Sequence, residues 1–301
     1  MEFPISGVTV DPLVLILVGL VIGTLGGFFG VGGGFLTGPI MFLLGVPMNF
    51  VVGTDLAYMT GKAFVGFKRH RALGHVDAKL GFIMIVGTAV GVELGARTVE
   101  ALEVRQSLDE VIGITYITIL LVVSGFTLYE SIRSLRMIDT EKMDVKEVVG
   151  FQGMVQRVHR LRIPPMISFP ASGIKSISIW SILGVGFFTG TLSGLLGVGG
   201  GVFRMPMLVY VLGMPTHVAV GTDLFEIIFS AGFGTLTHAI KGNVDILMAL
   251  VMQTGAVIGA QIGAVATQFF AGPRIRLLFS FLPLIGAIMV FLRLIGFGMG
   301  H

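Results

Sequence analysis

Cysteine is absent from this 301-residue chain, so it can form neither a disulfide nor a thiolate metal site. Charge is scarce. Asp, Glu, Lys and Arg make up 12% of the residues, against 54% hydrophobic, and the mean hydropathy is +0.94. A soluble domain carries about 25% charged residues, so a water-exposed globule is excluded. The basic start and cleavage pattern of a removable signal peptide are also missing, which makes residues 13–29 the first spanning helix. There is no His–His–carboxylate metal spacing and no nucleophile motif. These absences lead us to expect no enzyme, no cofactor and no nucleic-acid partner. The net charge of +3 instead marks loops facing anionic lipid.

What the chain does have is long apolar runs, at about 12–29, 78–97, 108–130, 176–195, 246–267 and 275–297. Each suffices to cross a hydrocarbon core of about 30 Å. The expected class is an all-α polytopic membrane protein. Two further apolar stretches are interrupted, 35–66 at Pro47 and 202–236 at Pro215.

The chain also repeats itself. "GVGGG" occurs at 30–34 and again at 197–201, and "GTD" at 53–55 and 221–223. His70, Gly74, Val76 and Asp77 match His238, Gly242, Val244 and Asp245, and Gly87, Gly91 and Gly95 match Gly255, Gly259 and Gly263. We divide the chain into a first transmembrane repeat at 1–130, a cytoplasmic amphipathic linker at 131–175 and a second repeat at 176–301. Each half is expected to hold about three full spans plus a broken or re-entrant helix pair. If the interrupted stretch returns, the halves are inverted. If it crosses, they are parallel. The Lys and Arg counts of the loops tie, and a tail with Glu2 and Asp11 but no basic side chain favours inversion, with both termini outside. The basic segments 68–79 and 131–175 then share the cytoplasmic side. Val145, Val148, Val149, Met154, Val155, Val158 and Leu161 recur at helical spacing among arginines, as in a helix lying on a membrane surface. "IPPMISFP" (163–170) then forces extended chain.

Three successive glycines let a backbone leave helical geometry, and the helix restarted after them points free N–H groups into the protein at membrane depth. That is an anion site made of backbone. The expected substrate-binding residues are Gly32, Gly33, Gly34, Phe35, Gly199, Gly200, Gly201, Val202 and Arg204, with Thr54 and Thr222. Close helix packing is the competing explanation for glycine here. It is the expected one for "GTLGG" (23–27) and for the Gly87 series.

Buried carboxylates in a membrane are functional by default. Asp55, Asp223 and Glu226 are candidates for ion coupling, by a proton or by Na⁺ held at Asp55 and Asp223 with threonine oxygens. Alternatively, the two aspartates cap the second helix of each broken pair. Arg204 either meets the anion or pairs with Asp223 or Glu226. Lys62 either snorkels to the surface, the expected outcome, or binds substrate, and Glu93 either pairs with Arg97 one turn on or lines the path. His70 and His238 are expected at the interface.

The paired "GVGGG…P…GTD" blocks, the "GHVD" (74–77) and "GNVD" (242–245) turns and the "GxxxGxxxGA" spans resemble the sulfite exporter (TauE/SafE) family of membrane transporters. The resemblance covers the chain except 131–175. It implies secondary transport of a small sulfur-containing anion, such as sulfite, sulfoacetate or a related organosulfonate, usually outward across the cytoplasmic membrane. The partners it implies are that anion, a coupling H⁺ or Na⁺ and membrane lipids. A homodimer is one assembly open to it. An anion channel of the same architecture is the alternative. One departure is notable: Asp55 and Asp223 stand where the family often carries Ser, which points to a difference in coupling or substrate.

Overall fold

The structure, a computed structural model, describes residues 1–103, 108–141, 152–196 and 200–294. A short hairpin, β1 (Glu2–Phe3) and β2 (Val8–Thr9), precedes α1 (Pro12–Phe29). Asp11 caps α1 by accepting from Leu13 N at 2.9 Å. Then follow α2 (Gly34–Leu43), α3 (Met48–Ala72), α4 (Ala78–Glu103) and α5 (Leu108–Glu141). The linker contributes α6 (Gln152–Arg160) and a hairpin of β3 (Met166–Phe169) and β4 (Ile174–Ser178). The second half is α7 (Ile179–Leu196), α8 (Gly201–Tyr210), α9 (Thr216–Ile240), α10 (Ile246–Ala266) and α11 (Gly272–Leu294). Six of these helices are long and apolar enough to cross a membrane.

The distribution of polarity is that of a protein solvated by lipid. Leu17, Val86, Val90, Leu250 and Ile258 lie exposed on the outside of the bundle, while Arg204, Asp223 and Glu226 are 0% exposed within it.

The interrupted stretches resolve into one short and one long helix each. The ten residues of α2 rise about 15 Å, and the 25 residues of α3 about 38 Å. Residues 35–66 are therefore not an even hairpin: a short arm leads into a full-length helix. Tyr58 donates to Gly19 O at 3.2 Å, and His70 bonds Gly27 O at 2.9 Å. Moving up α3 thus means moving up α1, so the two are parallel. The chain must come back between them, through residues 30–33 and α2.

The two halves are inverted. Leu56 faces Gly234, and Leu224 faces Gly66, so α3 runs antiparallel to its repeat mate α9. Ser124 donates to Ser280 O while Arg276 reaches back to Glu130, so α5 and α11 are antiparallel as well. The relating axis therefore lies across the helices. Side by side, α1 and α10 run parallel, as do α4 and α7. Gly19, Gly23 and Gly27 abut the backbone of Met252, Ala256 and Ala260, and Gly255, Gly259 and Gly263 abut α1 in return. The Gly87, Gly91 and Gly95 series meets α7 in the same way, and Gly186, Gly190 and Gly194 complete that seam. These are packing glycines, as their spacing of four predicts.

Two symmetric clasps close the ends of the bundle. Asp245 caps α10 and accepts from Ser6, while its N–H donates to Thr54 Oγ1 at 2.9 Å. Asp77 bonds Leu80 N and Ser172, while its N–H donates to Thr222 Oγ1 at 2.9 Å. Each threonine thus ties its own half to a turn of the other. Lys79 bonds Ser168 O, so the basic 68–79 segment and the linker share one end of the bundle. There α6 packs on the α8–α9 turn, with His159 bonding Leu212 O at 3.0 Å. The upstream part of the expected amphipathic helix, residues 142–151, lies outside the described residues.

Candidate functional site

The first glycine run ends α1. Gly30 (φ 76°) turns the chain and donates to Gly26 O, and Gly33 (φ 81°) turns it again into α2. Positive φ at both positions favours glycine. Leu36 N and Thr37 N donate to Gly33 O, so the N–H groups of Gly34 and Phe35 precede the first intrahelical bonds of α2. The second run does the same. Gly200 (φ 76°) opens α8 without a side-chain cap, and Phe203 N and Arg204 N donate to its carbonyl. Gly197 and Gly199 lie outside the described residues.

The two runs meet at the centre of the bundle. A Cβ on Gly201 would lie 2.9 Å from Gly32 N, 3.0 Å from Val31 Cα and 3.1 Å from Asp223 Oδ2. Val202 is buried beside this crossing. The glycines are required here for close approach as well as for backbone turns.

Arg204 rises from the first turn of α8 into a carboxylate pair on α9. Its Nη1 donates to Asp223 Oδ1 at 2.8 Å and also contacts Glu226 Oε2. Both expected pairings are therefore made at once, by residues three apart on one face of α9. Ser230, one turn on, donates to Glu226 at 3.2 Å. Arg204 Nε and Nη2, Asp223 Oδ2 and Glu226 Oε1 make no hydrogen bond. Nη2 lies 2.7 Å from where a Cβ of Gly200 would stand, so the free edge of the guanidinium lies beside the opening turn of α8. One cation faces two acids, so the ionised cluster carries a charge of −1 at the centre of the protein.

Two expectations change. Asp55 and Asp223 do not cap helices: each lies inside its helix, and the N-caps of α3 and α9 are Pro47 and Pro215. Thr54 and Thr222 accept the clasp bonds through their hydroxyls, which gives them a structural role beside the expected one. Lys62 does not snorkel. It is 1% exposed, 4.5 Å over the Tyr58 ring, and interacts with Asp55. Snorkelling is the favoured expectation from sequence because about two turns of α3 further on the helix is strongly basic and reaches the bundle end. The available signal for burial was the apolar run on both sides of Lys62.

Glu93 and Arg97 pair at 2.9 Å, as their spacing predicts, on an exposed face. His70 is buried rather than interfacial, with His75 at 3.4 Å and the His217 ring tilted against His75 at 5.2 Å between ring centres. His75 lies in the α3–α4 turn, and burial holds it below the ordinary histidine value. Away from the glycine runs, Glu130, Arg276 and Tyr210 form a second buried network. In it, Tyr210 donates to Glu130 at 2.6 Å and Arg276 to Thr216 at 2.9 Å. This network ties α8 and α9 to α5 and α11.

Comparison with known proteins follows the same outline. The sulfite exporter TauE/SafE family profile matches residues 15–290. The chain is 29% identical over 261 residues to the probable membrane transporter protein YunE of Bacillus subtilis, covering 84% of this chain and 87% of that protein. It is 24% identical over 296 residues to the probable membrane transporter protein MJ0441 of Methanocaldococcus jannaschii, covering 93% and 94%. The probable membrane transporter protein YjnA of Bacillus subtilis is 26% identical over 266 residues, covering 86% and 91%. No solved structure matches significantly.

Proposed function

This chain belongs to the sulfite exporter TauE/SafE family of membrane transporters, and from that premise we propose that it exports a small sulfur-containing anion across the cytoplasmic membrane together with protons. The observation that carries the reading is Arg204. It is fully buried between Asp223 and Glu226, with unpaired N–H groups beside the uncapped start of α8. A planar guanidinium offers parallel donors to a sulfite, sulfonate or carboxylate group. The helix start adds backbone donors and a positive dipole end.

The carboxylates supply the coupling. An anion entering a cluster that is already −1 would raise the buried negative charge further. Protonating Asp223 or Glu226 removes that penalty and frees guanidinium donors for the guest. Anion and proton therefore bind together. A proton has a place to add, because Arg204 holds one oxygen of each acid and leaves Asp223 Oδ2 and Glu226 Oε1 without a hydrogen bond.

Direction follows from net charge. A divalent anion such as sulfoacetate, carried with one proton, still moves negative charge. An inside-negative potential is worth about 2.3 kcal/mol per charge per 100 mV and drives such a complex outward. The N-terminal hairpin is placed outside and the linker inside by the same positive-charge argument.

Proteoliposomes loaded with sulfite, sulfoacetate, thiosulfate, sulfate or taurine, under imposed proton and sodium gradients, test this. Anion flux should respond to the proton gradient and fall at least tenfold in Arg204→Met, with partial recovery in Arg204→Lys. Asp223→Asn should keep anion flux but lose its proton dependence. Taurine movement with no anion movement would overturn the reading. Anion flux indifferent to either gradient and unchanged in Asp223→Asn would instead favour a channel.

A further inference from the structure

The inverted repeat places a second buried cation where sequence alignment shows none. Thr37 is the repeat mate of Arg204, and Ser230 is the mate of Lys62. By sequence, then, the cations of the two halves do not correspond. In space they do. A Cβ on Gly200 would stand 2.7 Å from Arg204 Nη2, and a Cβ on its mate Gly33 would stand 2.6 Å from Lys62 Nζ. Each half thus brings one cation to the glycine that opens its short helix, one from α8 and the other from α3.

The surroundings correspond too. Asp55, the mate of the Asp223 that pairs with Arg204, interacts electrostatically with Lys62 without a hydrogen bond to it. Tyr58, the mate of Glu226, places its ring under Lys62. Lys62 Nζ makes no hydrogen bond although the side chain is 1% exposed, and Asp55 Oδ1 also has no hydrogen-bond partner. A buried ammonium has three donors to satisfy, and leaving them unmet is costly. Cation–π attraction to Tyr58 offsets part of that cost without using a directed N–H bond. Beside the ammonium lies the start of α2, with N–H groups that precede its first intrahelical bonds.

We propose that Lys62 and the opening turn of α2 form a second anion-binding station, the inverted counterpart of the one at Arg204. It takes a small oxyanion, sulfite or one end of an organosulfonate. The inference rests on the anion reading above and extends it to a second cation. Since Gly32 and Gly201 touch where the two glycine runs cross, the stations are neighbours through the centre of the protein. An anion leaving one station is received by the other, and inversion aims the two helix starts in opposite directions along the membrane normal. Only one acid faces Lys62 where two face Arg204, so this station is electrically neutral when empty. It therefore binds its anion with less dependence on protons.

The test is anion stoichiometry on the purified full-length protein, with sulfite and separately sulfoacetate titrated by calorimetry. Wild type should bind two sulfite ions per chain. The charge-balanced pair Asp55→Asn/Lys62→Met should bind one, and Arg204→Met/Asp223→Asn should bind the other. The transplant Thr37→Arg/Lys62→Ser, which copies the second half's arrangement into the first, should restore two. Lys62→Arg should keep two, and a role in folding alone would leave the count at every variant unchanged. One sulfite per chain in wild type, still bound with unchanged affinity in Asp55→Asn/Lys62→Met, would overturn the second station while leaving the Arg204 site standing. No binding by wild type at all would overturn both.

Discussion

At the scale of single residues, the account turns on where charge is buried and what it lacks. Arg204 holds two acids through one nitrogen and leaves the opposite edge of its guanidinium unbonded. Removing one partner from such a cluster costs about 3–5 kcal/mol, because the remaining charges stay buried and uncompensated. Charge-balanced variants are therefore the informative ones. Gly200 gives a sharper probe. Its φ of 76° disfavours any side chain, and a Cβ there would press on Arg204 Nη2. Gly200→Ala should cost about 1–3 kcal/mol of stability by overpacking and strain. It should weaken anion binding more than it lowers the melting temperature would suggest, because it fills the space beside the free guanidinium edge. Binding titration beside a thermal melt separates the two effects. Much of this chemistry was legible in the sequence. Arg204, Asp223 and Glu226 stood out because each is a charge inside an apolar run. Lys62 did not, since a lysine with basic residues two turns on is free in principle to reach the surface. Only the packing of α3 against α1 and α2 shows that it cannot. The threonines of the "GTD" blocks were legible as important but not for their role, because that role is a bond to the opposite half.

At the scale of elements, two kinds of glycine do different work. The four-residue series on α1, α4, α7 and α10 bring backbones together. The "GVGGG" runs break helices and admit neighbouring charges. Spacing alone separates them, since a period of four marks one helix face and three in succession cannot. The α1–α10 seam joins the two halves, so its glycines should be intolerant of bulk. Gly259→Leu would drive a side chain into the backbone at Leu20. We expect it to lower the yield of folded protein and the melting temperature by several degrees, read by fluorescence-detected size exclusion. Leu at Gly125, which faces open space, should have little effect on either. The short arms α2 and α8 were legible as too short to span. The full length of α3 was not, because Lys62 and the basic residues at its end lower its hydropathy, whereas its mate α9 is apolar enough to span. Burial in the bundle, rather than apolar composition, keeps α3 at membrane depth.

At the scale of the whole molecule, inversion gives each face of the membrane an equivalent half. Mates α3 and α9 pack on each other about the relating axis, and α5 and α11 do likewise. Inverted repeats of this kind offer two states related by a two-fold axis, in which the halves exchange conformations, and the proposed export would use them for alternating access. The halves are not chemically equal. One centre holds Arg204 with two acids, and the other Lys62 with one. The linker also breaks the symmetry by seating α6 on the α8–α9 turn alone. On the proposed coupling, sulfoacetate carried with one proton still moves net negative charge. Efflux of sulfoacetate from proteoliposomes should accelerate when a potassium diffusion potential makes the interior negative, and slow when the potential is reversed. Equal rates under both polarities would show that the complex moves no net charge.

The central claim is that anion and proton bind together at Arg204. It is tested most directly by mixing sulfoacetate with the purified protein in weakly buffered solution and following pH with an indicator dye. Wild type should take up protons as the anion binds, in proportion to occupancy, and Asp223→Asn/Glu226→Gln should bind the anion with little or no uptake. Anion binding by wild type with no proton uptake, or binding that requires sodium instead, would contradict the account.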